Sequence, residues 1–193
     1  MNLKMKDFVL LALLTALYII VYFVAMMIIS LMGPFGHAIS PGVCGLLSGA
    51  ILIFISRKIG KMWQFTLMEL IIMGVFALMG AGYLPWFITS MIGAVLADII
   101  ASTSNKPSVI KVAIASGLIH VGNALGGIIP ASFFAEQYMN EWIARGQKPD
   151  QMLEMVKATQ GVMGILGTVI TFILSVIGVY IGYSILKGHL KEN

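Results

Sequence analysis

A small number of polar side chains stand inside long apolar stretches of this sequence, where they could do chemistry. His120 and Asn123 lie three residues apart in the stretch 109–129, a spacing that places both side chains on one face of a helix. Glu69 lies inside another such stretch, 62–80. A buried polar group costs free energy unless it is hydrogen-bonded or paired. Each of these residues is therefore a candidate either for binding a ligand or ion or for bonding a neighbouring helix.

The histidines leave two interpretations open. His120 could bond a backbone carbonyl or Ser116, four residues earlier, and serve packing alone. Alternatively, His37 with His120, or either histidine with one of the 14 methionines, could ligate haem iron. Cys44 is the single cysteine, which excludes an intrachain disulfide and a thiolate metal cluster. We therefore expect no resident metal or cofactor, and we treat haem as one candidate for a transported ligand.

The acidic residues within the apolar stretches also have two interpretations. Glu69 is the one candidate for the carboxylate that an ion-coupled transporter needs near the middle of the membrane, although such a residue often only bonds a neighbouring helix. Both acids lie toward the cytoplasmic ends of their predicted helices, so we expect neither to contact a ligand bound from outside. Asp98 is expected to pair with Lys106 or Lys111.

Motifs for catalysis are absent from the sequence. It contains no His-Glu-x-x-His and no Gly-x-Ser-x-Gly, and no pair of carboxylates is placed to face across a cleft. A Gly-x-x-x-x-Gly-Lys-Ser/Thr phosphate-binding loop is also absent. We predict that the chain is not an enzyme and has no catalytic residues.

The composition shows which elements must position the polar residues. Of 193 residues, 59% are hydrophobic and 10% are charged, against roughly 25% charged in a soluble domain, and the mean hydropathy is +0.97. About 20 apolar residues in a helix cross a bilayer. The sequence predicts one all-α integral membrane domain, residues 1–193, with six transmembrane helices at about 8–32, 41–56, 62–80, 83–101, 109–129 and 161–186.

The distribution of Lys and Arg predicts the orientation. With a cytoplasmic N-terminus, nine of these residues flank the inner ends of the spans and three flank the outer ends, which favours an N-in/C-in arrangement in the plasma membrane of a bacterium. The basic residues lie in short flanks between apolar stretches and not on one soluble face, so we predict no nucleic-acid partner. The first apolar stretch is too long for a cleaved signal peptide, and we expect it to be retained.

The segment 131–160 is the one sizeable polar part of the chain, and it lies outside under this orientation. Its apolar residues recur at helical spacing on both sides of Gly146 to Pro149, which predicts two short amphipathic helices on the outer surface. The segment is either a lid over an outward-facing pocket or an interfacial cap on the bundle.

Small residues four apart predict close helix packing. Such pairs are Gly45 with Gly49, Gly93 with Ala97, Gly122 with Gly126, and Gly178 with Gly182. Ala12 and Ala16 make a similar pair on the first helix, where they could present a smooth patch to another membrane protein.

These features together resemble a known family. Six helices in about 190 residues, an Ala-x-x-x-Ala pair on helix 1 and a basic C-terminal end resemble the substrate-binding S component of an energy-coupling factor (ECF) transporter. The long loop before helix 6 and the Lys-Met-Lys-Asp opening are similar to the Trep_Strep group of S components, also called the MptD family. The resemblance implies capture of a micronutrient outside, inward release by toppling, and partners comprising a transmembrane coupling subunit and an ATPase pair. It also implies that Ala12 and Ala16 contact the coupling subunit.

The resemblance further implies an outer ligand pocket formed by helices 4 to 6 and covered by the loops 33–40, 80–83 and 131–160. Aromatic and polar residues in this region are the predicted ligand contacts: His37, Tyr83, Trp86, His120, Asn123 and Gln160.

Two other functional classes remain open. A self-contained secondary transporter or facilitator would use Glu69 and would need no partner subunits. A membrane scaffold would bind no small molecule at all.

Overall fold

The structure is a computed structural model that describes residues 3–102 and 107–190. Every regular element in these two ranges is helical, which confirms the all-α class. The helices are α1 Met5–Ile29, α2 Pro34–Lys58, α3 Gln64–Leu78, α4 Leu84–Ala101, α5 Val109–Phe133, α6 Ala135–Ala144, α7 Pro149–Thr159 and α8 Gly161–Leu190, with a short 3-10 turn, Ser30–Met32, after α1.

Five of these helices are long and apolar enough to cross a membrane: α1 with its 3-10 turn, α2, α4, α5 and α8. The apolar helix α3 has 15 residues, a length of about 22 Å at 1.5 Å per residue. That is less than the roughly 30 Å of a hydrocarbon core. Five of the six predicted spans are therefore supported in the described ranges, and the sixth stays a prediction.

The second helix begins earlier than the sequence predicted. We expected a loop over 33–40 and a helix from Pro41, but α2 starts at Pro34 and Pro41 lies inside it. A proline within a helix leaves the carbonyl four residues earlier without its N–H donor. Here that carbonyl belongs to His37, and the Ser40 hydroxyl donates to it at 3.1 Å. The loop prediction was wrong because this side chain supplies the missing bond.

Two other boundaries also differ from the prediction. The fifth helix was expected to end before Pro130, but α5 continues to Phe133. The third was expected from residue 62, but Trp63 adopts a left-handed backbone conformation with φ 74°, so α3 begins at Gln64.

The start of α3 is held by Asp98 of α4. Its carboxylate accepts hydrogen bonds from the backbone N–H groups of Phe65 and Thr66 and from the hydroxyls of Thr66 and Ser102, at 2.6 to 3.2 Å. A carboxylate is favourable at a helix N-terminus because the first N–H groups there lack partners within the helix. Asp98 thus caps α3 and forms no ion pair with Lys111 within the described residues. The predicted pair with Lys106 lies outside the described residues.

The centre of the bundle consists of α2 and α5, which bury 61% of their most apolar segments. Glycines let α8 approach α2 closely. A Cβ atom added to Gly49 would lie 2.1 Å from the Gly178 backbone, and one added to Gly182 would lie 2.4 Å from Ala50. A similar contact joins Gly93 of α4 to Gly122 of α5. These contacts confirm that the paired small residues serve helix packing.

The first helix is the least buried of the five, with 22% of its most apolar segment covered. Its N-terminus is fixed by Asp7, whose carboxylate accepts a bond from the Lys4 backbone at 2.7 Å and forms an ion pair with Lys61 at 2.5 Å. This pair ties the start of α1 to the connection between α2 and α3.

Both short helices predicted in 131–160 are present as α6 and α7, and both are amphipathic. They cover one end of the bundle, where α1 is joined to α2 and α3 to α4. Arg145, after α6, donates to the carbonyl of Gly82 at 2.6 Å, and the Gly161 N–H donates to the Ser132 hydroxyl at 3.3 Å. We call this the α6–α7 end of the bundle.

Candidate functional site

A small cavity lies inside the bundle, near the middle of α1, α2 and α5. Its volume is about 10 Å³, roughly the space required by one water molecule. Five of its eight lining side chains can donate or accept hydrogen bonds through N or O atoms, and a thiol makes a sixth polar group. The lining residues are Tyr18, Tyr22, Pro41, Cys44, Glu69, Ile72, His120 and Asn123. We call this space the central cavity.

His120 is 1% exposed and uses both of its ring nitrogens. Nδ1 lies 2.7 Å from the Ser116 carbonyl, which can only accept, so Nδ1 carries a proton. Nε2 lies 2.9 Å from the Tyr18 hydroxyl, which donates to it when the ring is neutral. The imidazole therefore joins α5 to α1. The bond to the Ser116 carbonyl is the contact expected if His120 serves packing.

Glu69 is fully buried, and neither of its carboxylate oxygens has a hydrogen-bond partner among the described residues. The amide of Asn123 lies beside it without hydrogen-bond geometry. A buried carboxylate without a partner is costly. This makes Glu69 the most unusual polar residue of the bundle.

Asn123 joins the central cavity to α4. Its Oδ1 accepts from the Trp86 indole N–H at 3.0 Å and from the Ser90 hydroxyl at 3.2 Å, and its Nδ2 donates to the Ile119 carbonyl at 3.1 Å. Trp86 also packs edge-on against Phe76, at 5.5 Å between ring centroids. The structure thus brings together three of the predicted ligand contacts: Trp86, His120 and Asn123.

Tyr83 lies at the α6–α7 end in a cluster of three rings. It is 5.6 Å from Tyr138 and 5.7 Å from Trp142, both of α6, between ring centroids. Burial raises the pKa of Tyr138 to about 12, so this ring is uncharged at physiological pH. Burial also raises the pKa of Tyr83. The Arg145 guanidinium lies over the Trp142 ring at 5.1 Å. Tyr83 therefore contacts the covering helix in this arrangement.

His37 and Gln160 are placed differently from the other four predicted contacts. His37 is an exposed residue in the first turns of α2, and Gln160 is exposed where α7 ends. Within the described residues, neither side chain makes a hydrogen bond or ring contact with Tyr83, Trp86, His120 or Asn123. The structure does not bring them into one site.

A second space, an open groove of about 600 Å³, lies at the α6–α7 end. It is lined mainly by apolar atoms, and none of the six predicted contacts lies in it. The lining residues are Pro34, Phe35, Glu154, Lys157, Ala158 and Met163.

Ala12 and Ala16 are both exposed on α1, on the side away from Tyr18, which is buried. The small-residue patch predicted from the sequence is therefore available for contact outside the bundle.

Sequence reasoning missed the polar residues that α1 and α2 bring to the central cavity: Tyr18, Tyr22 and Cys44. A signal for the tyrosines was present, because Tyr18 and Tyr22 are four residues apart and share a helix face. Their apolar surroundings hid it, since tyrosine is also common as plain packing.

The helices and the buried polar cavity define a multi-pass, all-α integral membrane protein. A sequence model of the family described as "Hypothetical bacterial integral membrane protein (Trep_Strep)" matches residues 5–192, so the chain belongs to this family of bacterial integral membrane proteins. No curated protein matches the chain. No solved structure matches it either.

Proposed function

We propose that this protein is the substrate-binding S component of an ECF transporter. In this role it captures a micronutrient outside the cell and delivers it inward with a separate coupling subunit and an ATPase pair. The captured molecule is a vitamin, haem or another tetrapyrrole, or a related metabolite. The chain itself catalyses nothing, and its N- and C-termini face the cytoplasm. Membership of the Trep_Strep family, which the sequence resemblance links to S components, supports this role.

The structural observation that carries the proposal is the exposed face of α1. A subunit that docks on another membrane protein needs a surface where backbones can approach closely, and small residues four apart supply one. Ala12 and Ala16 lie on the exposed side of the least buried span. In the proposal, the coupling subunit packs against these two alanines.

The capture site in this proposal lies beneath α6. Trp86 and Asn123 form a hydrogen-bonded floor, and Tyr83 is covered by Tyr138 and Trp142. Displacement of α6 would free the faces of Tyr83 and Trp86 to stack on a ligand, with Asn123, His120 and Gln160 binding its polar groups. Haem ligation by His120 would require loss of its bond to Tyr18.

The coupling role is tested by enlarging both alanines. Ala12→Leu with Ala16→Leu should abolish uptake in cells that contain the ECF subunits, while the isolated protein still binds its ligand. Val162→Leu with Val169→Leu is the matched control, because it enlarges two exposed residues of α8. Equal loss of binding and uptake in the alanine variant, or normal uptake, would contradict this assignment.

The ligand is identified by native mass spectrometry of protein purified from cells grown in rich medium. A discrete added mass supports capture, and a mass equal to that of haem selects the tetrapyrrole. Protein that never carries a small molecule, and that does not co-purify with ECF subunits, would count against the S component.

A second candidate function is a self-contained secondary transporter, favoured by the buried and unpartnered Glu69. It predicts ion-driven uptake by this chain alone in reconstituted vesicles, with the uptake lost in Glu69→Gln. The S component predicts no such uptake without its partners.

A further inference from the structure

We propose that the central cavity binds one small monovalent cation, with Glu69 as the group that holds it. The cation is either a proton or an alkali metal ion. Each of the two would neutralise the negative charge of the buried carboxylate. This inference stands on the geometry of the cavity. It holds whether the protein is an S component or a self-contained transporter.

The first step of the argument is the isolation of Glu69. The side chain is 0% exposed, both of its oxygens lack hydrogen-bond partners among the described residues, and it lines an internal cavity. In a membrane interior such a carboxylate is paired, neutralised or hydrated. A cavity of about 10 Å³ holds at most about one water molecule, which does not replace the hydration that an ionised carboxylate loses on burial. A single positive charge compensates Glu69 instead.

The second step is that no neighbouring residue supplies this charge. The titratable groups that face the cavity are Tyr18 and Tyr22 from α1, Cys44 from α2 and His120 from α5. From α4, Trp86 and Ser90 reach the site only through Asn123, and neither titrates. Within residues 3–102 and 107–190, no Lys or Arg lines the cavity. His120 is already bonded at both nitrogens, to Ser116 and Tyr18.

The third step is the size and ligand set of the cavity. About 10 Å³ admits an occupant of roughly the size of one water molecule, which excludes an organic cation. A divalent metal site is also disfavoured, because no group of three or more His, Cys, Asp or Glu side chains is gathered in the part of the chain that the structure describes. One carboxylate with phenol and amide groups nearby matches a single positive charge.

The site also has a consequence for α1. Tyr18 and Tyr22 extend from α1 to the cavity, and the Tyr18 hydroxyl bonds His120 of α5. If the cation leaves, an uncompensated negative charge remains between α1, α3 and α5. The bound cation therefore favours the position in which α1 packs against the rest of the bundle. This is the helix that carries Ala12 and Ala16.

The test measures the melting temperature of the purified protein in detergent against pH, in choline, potassium and sodium chloride. In choline chloride, the wild-type melting temperature should fall as pH rises, because the proton on Glu69 is lost from a site with no substitute. Glu69→Gln should lose this dependence, since its amide is neutral at every pH. Glu136→Gln, which changes an exposed glutamate of α6, is the matched control and should behave as the wild type.

The salts distinguish the two sources of charge. If an alkali ion replaces the proton, sodium or potassium restores the wild-type melting temperature at high pH and has no such effect on Glu69→Gln. If the site takes a proton alone, the three salts give equal curves. Identical pH and salt dependence in wild type and Glu69→Gln would overturn the proposal.

A second measurement uses the wild-type chain alone, in case Glu69→Gln does not fold. Infrared spectra of protein labelled with carboxyl-13C glutamate report the protonated form of glutamate side chains separately from Asp98. Glu69 is the one buried glutamate in the described ranges. In alkali-free buffer at neutral pH, the labelled protein should show a protonated carboxylic acid band, and sodium should remove it if an alkali ion binds. Absence of the band in alkali-free buffer would overturn the proposal. Neither measurement uses a nutrient or an ECF subunit, so failure here is distinct from failure of the proposed function.

Discussion

At the scale of single residues, the polar side chains of the bundle fall into two groups. His120 and Asn123 share a face of α5, as their spacing predicted, and each is bonded to a different neighbouring helix: His120 to Tyr18 of α1 and Asn123 to Trp86 of α4. Glu69 has no comparable partner among the described residues. Buried polar groups that are satisfied stabilise one arrangement of helices, whereas an unsatisfied one costs free energy.

The bond between Tyr18 and His120 gives a prediction at this scale. Tyr18→Phe removes the hydroxyl and leaves the buried Nε2 of His120 unpaired, which should lower the free energy of unfolding by about 1 to 3 kcal/mol. The measurement is reversible denaturation in detergent. Tyr180→Phe, on an exposed part of α8, is the control and should change little. Equal stability of the two variants would show that the bond does not hold α1 to α5.

At the scale of elements, the helices are held by two different devices. The second and eighth helices approach through glycines, with backbone against backbone. The third helix has 15 residues, and it is fixed at its N-terminus by the Asp98 carboxylate of α4. Close contact and capping replace the hydrophobic effect, which gives helices in lipid little drive to associate.

A matched pair of glycine substitutions tests the packing of α2 against α8. A Cβ at Gly49 would overlap the backbone of α8, so Gly49→Ala should lower the free energy of unfolding by about 1 to 3 kcal/mol. A Cβ at Gly74 of α3 would meet nothing within 4 Å, so Gly74→Ala should raise the free energy of unfolding by about 0.5 to 1 kcal/mol through helix propensity. Denaturation curves of both variants provide the check. A tolerated Gly49→Ala would mean that α2 and α8 pack less closely than described.

At the scale of the whole molecule, α6 and α7 cover one end of the bundle, and one long helix is mostly exposed. The covering segment is fastened by the ring cluster of Tyr83, Tyr138 and Trp142 and by Arg145. The mostly exposed helix is α1. In the proposed function these two features serve capture and delivery. The covering segment closes on the nutrient, and α1 docks on the coupling subunit.

The fastening of α6 gives a prediction at this scale. Arg145→Ala removes the bond to the Gly82 carbonyl and the contact with the Trp142 ring, and should speed amide hydrogen exchange in α6 by about fivefold, the effect of about 1 kcal/mol. Exchange in α2 and α5 should not change. Lys148→Ala, at an exposed position before α7, is the matched control. Unchanged exchange in α6 would show that the rings alone hold the cover.

Much of the fold was predictable from the sequence, because apolar stretches of about 20 residues reflect membrane thickness directly. The two short helices of 131–160 and the packing role of the paired glycines were predicted and are present. The start of α2 was not predictable, since it depends on whether the Ser40 hydroxyl replaces the donor that Pro41 lacks. A hydropathy pattern does not report whether a side chain forms such a hydrogen bond.

The candidate site was predictable in part. Polar residues within two apolar stretches identified His120, Asn123 and Glu69 as candidates. The structure places all three at one cavity, whereas the sequence predicted Glu69 on the inner side, apart from the ligand contacts. The tyrosines and the cysteine that complete it come from α1 and α2, which are distant in sequence. His37 was placed in a loop because Pro41 was taken as a helix start. Contacts between helices decide which residues belong to a site, and a single sequence does not report those contacts.

The glycine contact between α2 and α8 also bears on how the protein is made. The second helix is synthesised well before α8, so the face of α2 that carries Gly45 and Gly49 lacks its partner until α8 has been made. The nascent chain is then an intermediate with one packing face uncovered. Such intermediates are prone to mispairing and degradation. We therefore expect a chain that terminates before α8 to be degraded as a whole, instead of persisting as a bundle that lacks one helix.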